Sequence, residues 1–139
     1  MKSSKVMFLI GVGALSVMGC KKPEDEAARV SITYSAPFLA VAEDSTGTCE
    51  SKLKVAEELY KLEEPKFGET KAIVEKWKSD EKFKAKLKSE VEKVQTSGIA
   101  KSYPKACPKE AEKLAKIVSD TASAIGVADL VPAWSGKPG

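Results

Sequence analysis

PKEAEKLAKIVSDTASAI, residues 108–125, decides the fold. Ala111, Leu114, Ala115, Val118, Ala122 and Ile125 recur at spacings of three and four, the pattern of a helix with one buried face. Pro108 stands where a first helical turn tolerates proline, and Gly126 follows the last apolar residue as a natural C-cap. The small residues in this stripe allow close approach by a neighbouring helix.

Working backwards, Cys49 to Glu64 reads as a second helix. Its stripe is Leu53, Ala56, Leu59 or Tyr60, and Leu62, and Pro65 ends it. Glu69 to Gln95 is helical too, with Ile73, Val74 and Trp77 on one face, then Phe83, Leu87, Val91 and Val94. The two sets are out of phase across Lys78-Ser79-Asp80, and Ser79 or Asp80 is a good N-cap, so a kink or break is expected there. A straight helix over that range would run about 40 Å, against about 20 to 26 Å for its neighbours.

Thr96 to Cys107, rich in Ser, Gly and Pro, reads as a loop. Residues 29–44 are ambiguous. Val30, Ile32 and Tyr34 alternate like a strand, but no second strand is available to pair with it. Pro37 followed by Phe38-Leu39-Ala40-Val41-Ala42 favours a helix over 36–43 that opens on proline. In the tail, Leu130, Val131, Pro132 and Trp134 are apolar enough to fold back over the bundle, while 135–139 is expected to be disordered. No internal repeat is present. The reading is an all-α domain over 29–134, a small three- to four-helix bundle.

Cysteine usage adds a constraint. With Cys20 set aside for the N-terminal segment, Cys49 and Cys107 remain as an even pair, both at helix starts, and a bridge between them is expected in an oxidising compartment. It would close a loop of about 59 residues, worth roughly 4 kcal/mol from loop-closure entropy. Both helix starts would then lie at one end of the bundle. With one long middle helix, an up-down-up order achieves this. If that helix splits into two antiparallel pieces, the segment 96–107 must cross the bundle instead.

The third cysteine has another role. Lys2 and Lys5 precede an apolar run, Val6 to Met18, and then Val17-Met18-Gly19-Cys20. The run is about thirteen residues, roughly 20 Å as a helix and short of a hydrocarbon core of about 30 Å. This N-terminus resembles bacterial lipoprotein precursors, with Val17, Gly19 and Cys20 matching the lipobox and Met18 a less usual occupant. The resemblance covers only Met1 to Lys22. It implies a signal peptide over 1–19, removed by cleavage, and a diacylglycerol-bearing Cys20 that holds the protein to a membrane. Residues 20–28 then read as a flexible tether. Lys21, rather than Asp, after the cysteine implies the outer membrane, with the domain facing the periplasm or cell surface.

Composition narrows function by exclusion. The formal charge of +3 falls by two when Lys2 and Lys5 leave, so basicity gives no argument for nucleic acid. The chain has no histidine. Histidine-based triads, His-Glu-x-x-His zinc sites and Cys-x-x-Cys-His haem attachment are therefore excluded. No metal, cofactor or catalytic set is expected, and carboxylate pairs such as Glu57 and Glu63 read as surface charge. Two surface features remain. Lys76, Lys78, Lys82 and Lys86 are interleaved with Trp77 and Phe83, and Trp134 stands in the tail; together they form the candidate binding surface, although solvated charge and core packing explain the same residues. The functional expectation is a non-enzymatic envelope lipoprotein, a helical interaction module for a protein or envelope component. The alternatives are a periplasmic carrier of a small apolar ligand or lipid, and an accessory factor of an envelope hydrolase.

Overall fold

The computed structural model describes residues 22–43 and 47–137. The expected signal peptide over 1–19 and the expected lipidation site Cys20 lie outside that range. Among the described residues there are six α-helices and no strand: α1 (Pro23–Glu43), α2 (Cys49–Glu63), α3 (Phe67–Trp77), α4 (Glu81–Gln95), α5 (Gly98–Ala106) and α6 (Pro108–Ala124), with a 3-10 turn at Glu64–Lys66. The chain is an all-α bundle, as its periodicity implies.

Helix α1 departs most from expectation. It starts at Pro23 rather than near residue 36, so 23–28 is helix and not tether. Pro23 occupies the first helical position, where a missing N–H costs nothing, and Glu24, Asp25 and Glu26 sit at the positive end of the helix dipole. The strand-like alternation is an accident of Ile32, which is exposed. Ala27, Val30, Tyr34, Phe38 and Val41 are the buried set, spaced by three and four. Pro37 lies inside the helix rather than opening it, and it is buried there. This helix contacts all five others and is the centre of the bundle.

Helix α2 is capped by Thr48, whose hydroxyl accepts from Ser51 N–H at 3.1 Å. Leu53 and Ala56 are buried and Leu59 and Tyr60 partly so, but Leu62 is exposed and leaves the expected stripe. The long middle segment is broken where its two stripes fall out of phase. Asp80 caps α4 by accepting from Phe83 N–H at 3.0 Å, and Phe83, Leu87 and Val91 are buried.

The segment expected to be a loop contains α5. Ser97 caps it, and Ala100, Tyr103 and Cys107 form a buried stripe of their own. Pro104 near its end removes one backbone bond without unwinding so short a helix. Helix α6 buries Ala111, Leu114, Val118 and Ala122, with Ile125 just beyond. Gly126, at φ +79°, closes it while Val127 N–H reaches back to Ala122 O at 2.9 Å.

Cys49 and Cys107 are joined as a disulfide, with Cα atoms 5.7 Å apart. Tyr103 fixes the same corner by donating its hydroxyl to Cys49 O at 2.9 Å. Tyr60, three turns along α2, lies near Lys116 and Asp120 of α6, so α2 and α6 run parallel from the bridge. Parallel neighbours need a return path, and α3, α4 and α5 supply it.

The tail is more ordered than its composition implies. Gly136 is buried at φ +71°; a Cβ there would strike the Ala111 carbonyl oxygen and lie 3.0 Å from Ala115 Cβ. The small residues of α6 thus receive the tail, and 135–137 is held rather than frayed. Unfolding in urea should show the cost of losing the bridge. Paired Cys49→Ser and Cys107→Ser substitutions are expected to lower stability by roughly 4 kcal/mol, and an unchanged midpoint would show that helix packing alone fixes the α2–α6 register.

Candidate functional site

The surface expected to bind is built on α3 and α4, and the structure does not bring it together. Phe83 is fully buried in the core and unavailable to a partner. Trp134 sits far along the chain, its ring edge-on to Phe38 with centroids 4.8 Å apart. Trp77 is half-buried with Lys76 Nζ 5.3 Å from its ring centre, and its indole N–H is buried without a hydrogen-bond partner. Much of the lysine charge is locally spent. Lys78 pairs with Glu75 at 3.2 Å, Lys86 with Glu90 at 3.4 Å, and Lys84 with Glu81 at 2.6 Å. Lys93 and Lys86 both donate to the Glu90 carboxylate and hold its pKa below the ordinary range. Lys82 stays exposed. These are i,i+3 and i,i+4 pairs on solvated helices, the arrangement that stabilises a surface rather than recruiting a partner.

The apolar surface lies elsewhere, on α1 and α2. Ile32 is 66% exposed and Leu39 55%; Val55 is 38% and Leu62 70%. Ile32, Ala36 and Leu39 follow one another at helical spacing on α1, and Val55, Leu59 and Leu62 do so on α2. A shallow groove of about 250 Å³ joins the two rows, lined by Ala36, Leu39, Ala40, Glu43, Val55 and Leu59. Leu62 was a visible clue in the sequence, one apolar residue too many for a single buried stripe. Ile32 was masked by the strand-like pattern around it, and Leu39 by standing in the continuous apolar run Phe38 to Ala42.

Other hollows are of two kinds. An apolar cleft beneath the tail, between Tyr34, Val118, Ala122, Val131 and Trp134, holds about 70 Å³. Ligand pockets usually run from about 300 Å³ upwards. A larger, open hollow of about 490 Å³ lies between α5 and the tail, bordered by Lys101, Lys105 and Lys137. Cys49 Sγ, Cys107 Sγ and the Glu110 carboxylate lie within 4.8 Å of one another. Because the sulfurs are bonded to each other, they are not the thiolates a metal would need.

No protein-family model matches this chain, and neither a curated protein nor a solved structure matches it. The reading of function therefore rests on the chain's own sequence and geometry.

One titration belongs to the bridged corner. Burial, helped by the nearby Glu110 charge, pushes the Tyr103 hydroxyl up from 10.0 to about 12. The folded form holds this proton more tightly than the unfolded form, so the associated stability is fully present below about pH 10 and is lost as pH rises towards 12. Tyr103→Phe should flatten that alkaline loss while costing about 1 kcal/mol at neutral pH from the bond to Cys49 O. Stability curves of the two proteins between pH 8 and pH 12 (approximate limits set by the ordinary and shifted values) make the comparison; parallel curves would exclude Tyr103 as the titrating group.

Proposed function

We propose that this chain is a lipid-anchored protein of the bacterial envelope whose helical domain binds a partner through the exposed apolar groove of α1 and α2. The observation that carries this reading is the double row Ile32, Ala36, Leu39 and Val55, Leu59, Leu62, which no segment among the described residues covers. Large apolar side chains grouped this way on a small domain mark an interaction surface. A groove between two helices receives the apolar face of a third, and the partner of this reading is a protein presenting such a helix. The binding surface is thereby moved from the lysine-bearing α3 and α4 to α1 and α2.

The start of α1 bears on the anchor. If Cys20 carries lipid, only Lys21 and Lys22 separate it from the helix at Pro23, a span of at most about 10 Å. The domain would then be held against the bilayer rather than on a long leash. Lys21 and Lys22 would lie among the headgroups, each gaining about 1 kcal/mol from anionic lipid. The α1 residues that line the groove, Ala36 to Glu43, lie about 20 to 30 Å along the helix from Pro23, so the groove would lie within one helix length of the anchored end. The bridge between Cys49 and Cys107 fits an oxidising compartment outside the cytosol, and among the described residues no helix is long and apolar enough to cross a membrane.

Two experiments separate anchor from groove. Cys20→Ser is expected to move the protein from the membrane to the soluble fraction and to abolish palmitate labelling; a labelled, membrane-bound variant would refute the anchor. A photo-crosslinking residue at position 39 should give, in intact cells, a discrete adduct that is lost on Leu62→Glu and absent when the probe stands at exposed Glu92. Adducts unaffected by Leu62→Glu would sink the groove while leaving the anchor standing.

A further inference from the structure

The hollow between α5 and the tail is assembled from parts that the reading above does not use. Lys101 and Lys105 stand one turn apart on α5, both exposed. Lys137 arrives from the tail, placed by the seat of Gly136 on Ala111 and Ala115 of α6. Gln95, Thr96, Trp134 and Ser135 join them in the lining with two alanines, and among the described residues no carboxylate lines the hollow. None of the three lysines forms an ion pair among the described residues, in contrast to Lys78, Lys84, Lys86 and Lys93.

The neutral parts of the rim are fixed. Gln95 Nε2 donates both to Tyr34 Oη at 2.9 Å and to Pro132 O at 2.7 Å, tying the tail to α4 and α1. Its amide oxygen is left as an acceptor. Trp134 is braced from one side by Phe38, so its ring is held at the border of the hollow. Three cations around a concavity focus a positive potential, and no carboxylate among the described residues lines it. Acceptors, hydroxyls and an indole beside them suit the hydroxyl groups and C–H face of a polyol. Ammonium groups bind phosphate as point charges.

We propose that this hollow binds a phosphorylated polyol, with Lys101, Lys105 and Lys137 holding the phosphate and Gln95, Trp134 and Ser135 meeting the hydroxyl-bearing part. The ligand is either a free phosphosugar or the headgroup of a phosphoglycerol lipid, which share this chemistry. The inference stands independently of the lipid anchor and of the α1–α2 groove.

The test is titration of the isotopically labelled full-length mature protein, followed through the Trp134 indole and the amides of 95–105 and 133–137. Glucose 1,6-bisphosphate and glucose are the soluble probes. Phosphatidylcholine vesicles with and without phosphatidylglycerol form the lipid arm, read by co-sedimentation of the Cys20→Ser protein. Bisphosphate should shift these resonances while glucose does not, and added salt should weaken the effect. Lys101→Glu and Lys105→Glu should each weaken binding about fivefold or more, with the helical circular dichroism unchanged. Binding only to phosphatidylglycerol vesicles, lost in the same variants, would assign the lipid-borne source. Absence of response in both arms at millimolar ligand, or equal affinity in the lysine variants, would overturn the site.

Discussion

The bundle depends on burying one face of α1. Ala27, Val30, Tyr34, Phe38 and Val41 form a continuous apolar edge, and every other helix places residues against that helix. A domain this size buries a modest share of its surface, so a single central helix shared by all neighbours is an economical core. Tyr34 shows how the arrangement handles polarity. Its ring is in the core while its hydroxyl reaches Gln95, which in turn holds Pro132 O. Burial raises its pKa, with the Gln95 bond acting the other way. One polar contact thus joins the central helix, the end of α4 and the tail.

The disulfide acts on this core from outside. It fixes the beginnings of α2 and α6 side by side, and Tyr60 beside Lys116 and Asp120 shows that the two helices remain neighbours well beyond the bridge. A parallel pair cannot be joined by a short turn, so the chain between them must travel out and back. The break at Asp80 and the short α5 serve that path. Without the break, α3 and α4 would form one rod longer than the rest of the bundle. Without α5, the backbone groups of 98–106 would need other partners near a buried corner.

How much of this was legible depends on whether a segment carries one signal or two. Helices α2, α4 and α6 were plain because their apolar spacing, caps and terminators agree, as with Asp80, Phe83, Leu87 and Val91. The bridge followed from the even pair of cysteines left after Cys20. Helix α1 was obscured because Ile32 inserts an exposed apolar residue into a helical stripe, making 30, 32 and 34 look alternate. Helix α5 was obscured because Gly98, Ser102 and Pro104 outweigh a stripe of only three residues. In both cases tertiary burial overrides local propensity. The seat of Gly136 was out of reach for another reason: a glycine in a Ser-Gly-Lys-Pro tail looks the same whether it is solvated or pressed against a helix.

Charge was misleading in a more general way. The dense lysine run of 76–88 attracts notice in the sequence, yet three of its members face a glutamate one turn away, a pattern that largely cancels at a distance. Lys101, Lys105 and Lys137 attract none, being spread over 36 positions of chain. Only the fold makes them neighbours, through a helix whose sequence resembles a loop and a tail whose composition resembles disorder. Field strength at a surface depends on which charges converge and which are compensated, and neither property is written in local composition. The same holds for apolar surface. Leu62 and Leu39 lie apart in sequence and on different helices, and they become one feature only because α1 and α2 pack together. On this small domain, both proposed recognition surfaces arise where packing juxtaposes residues whose own helices leave them unsatisfied.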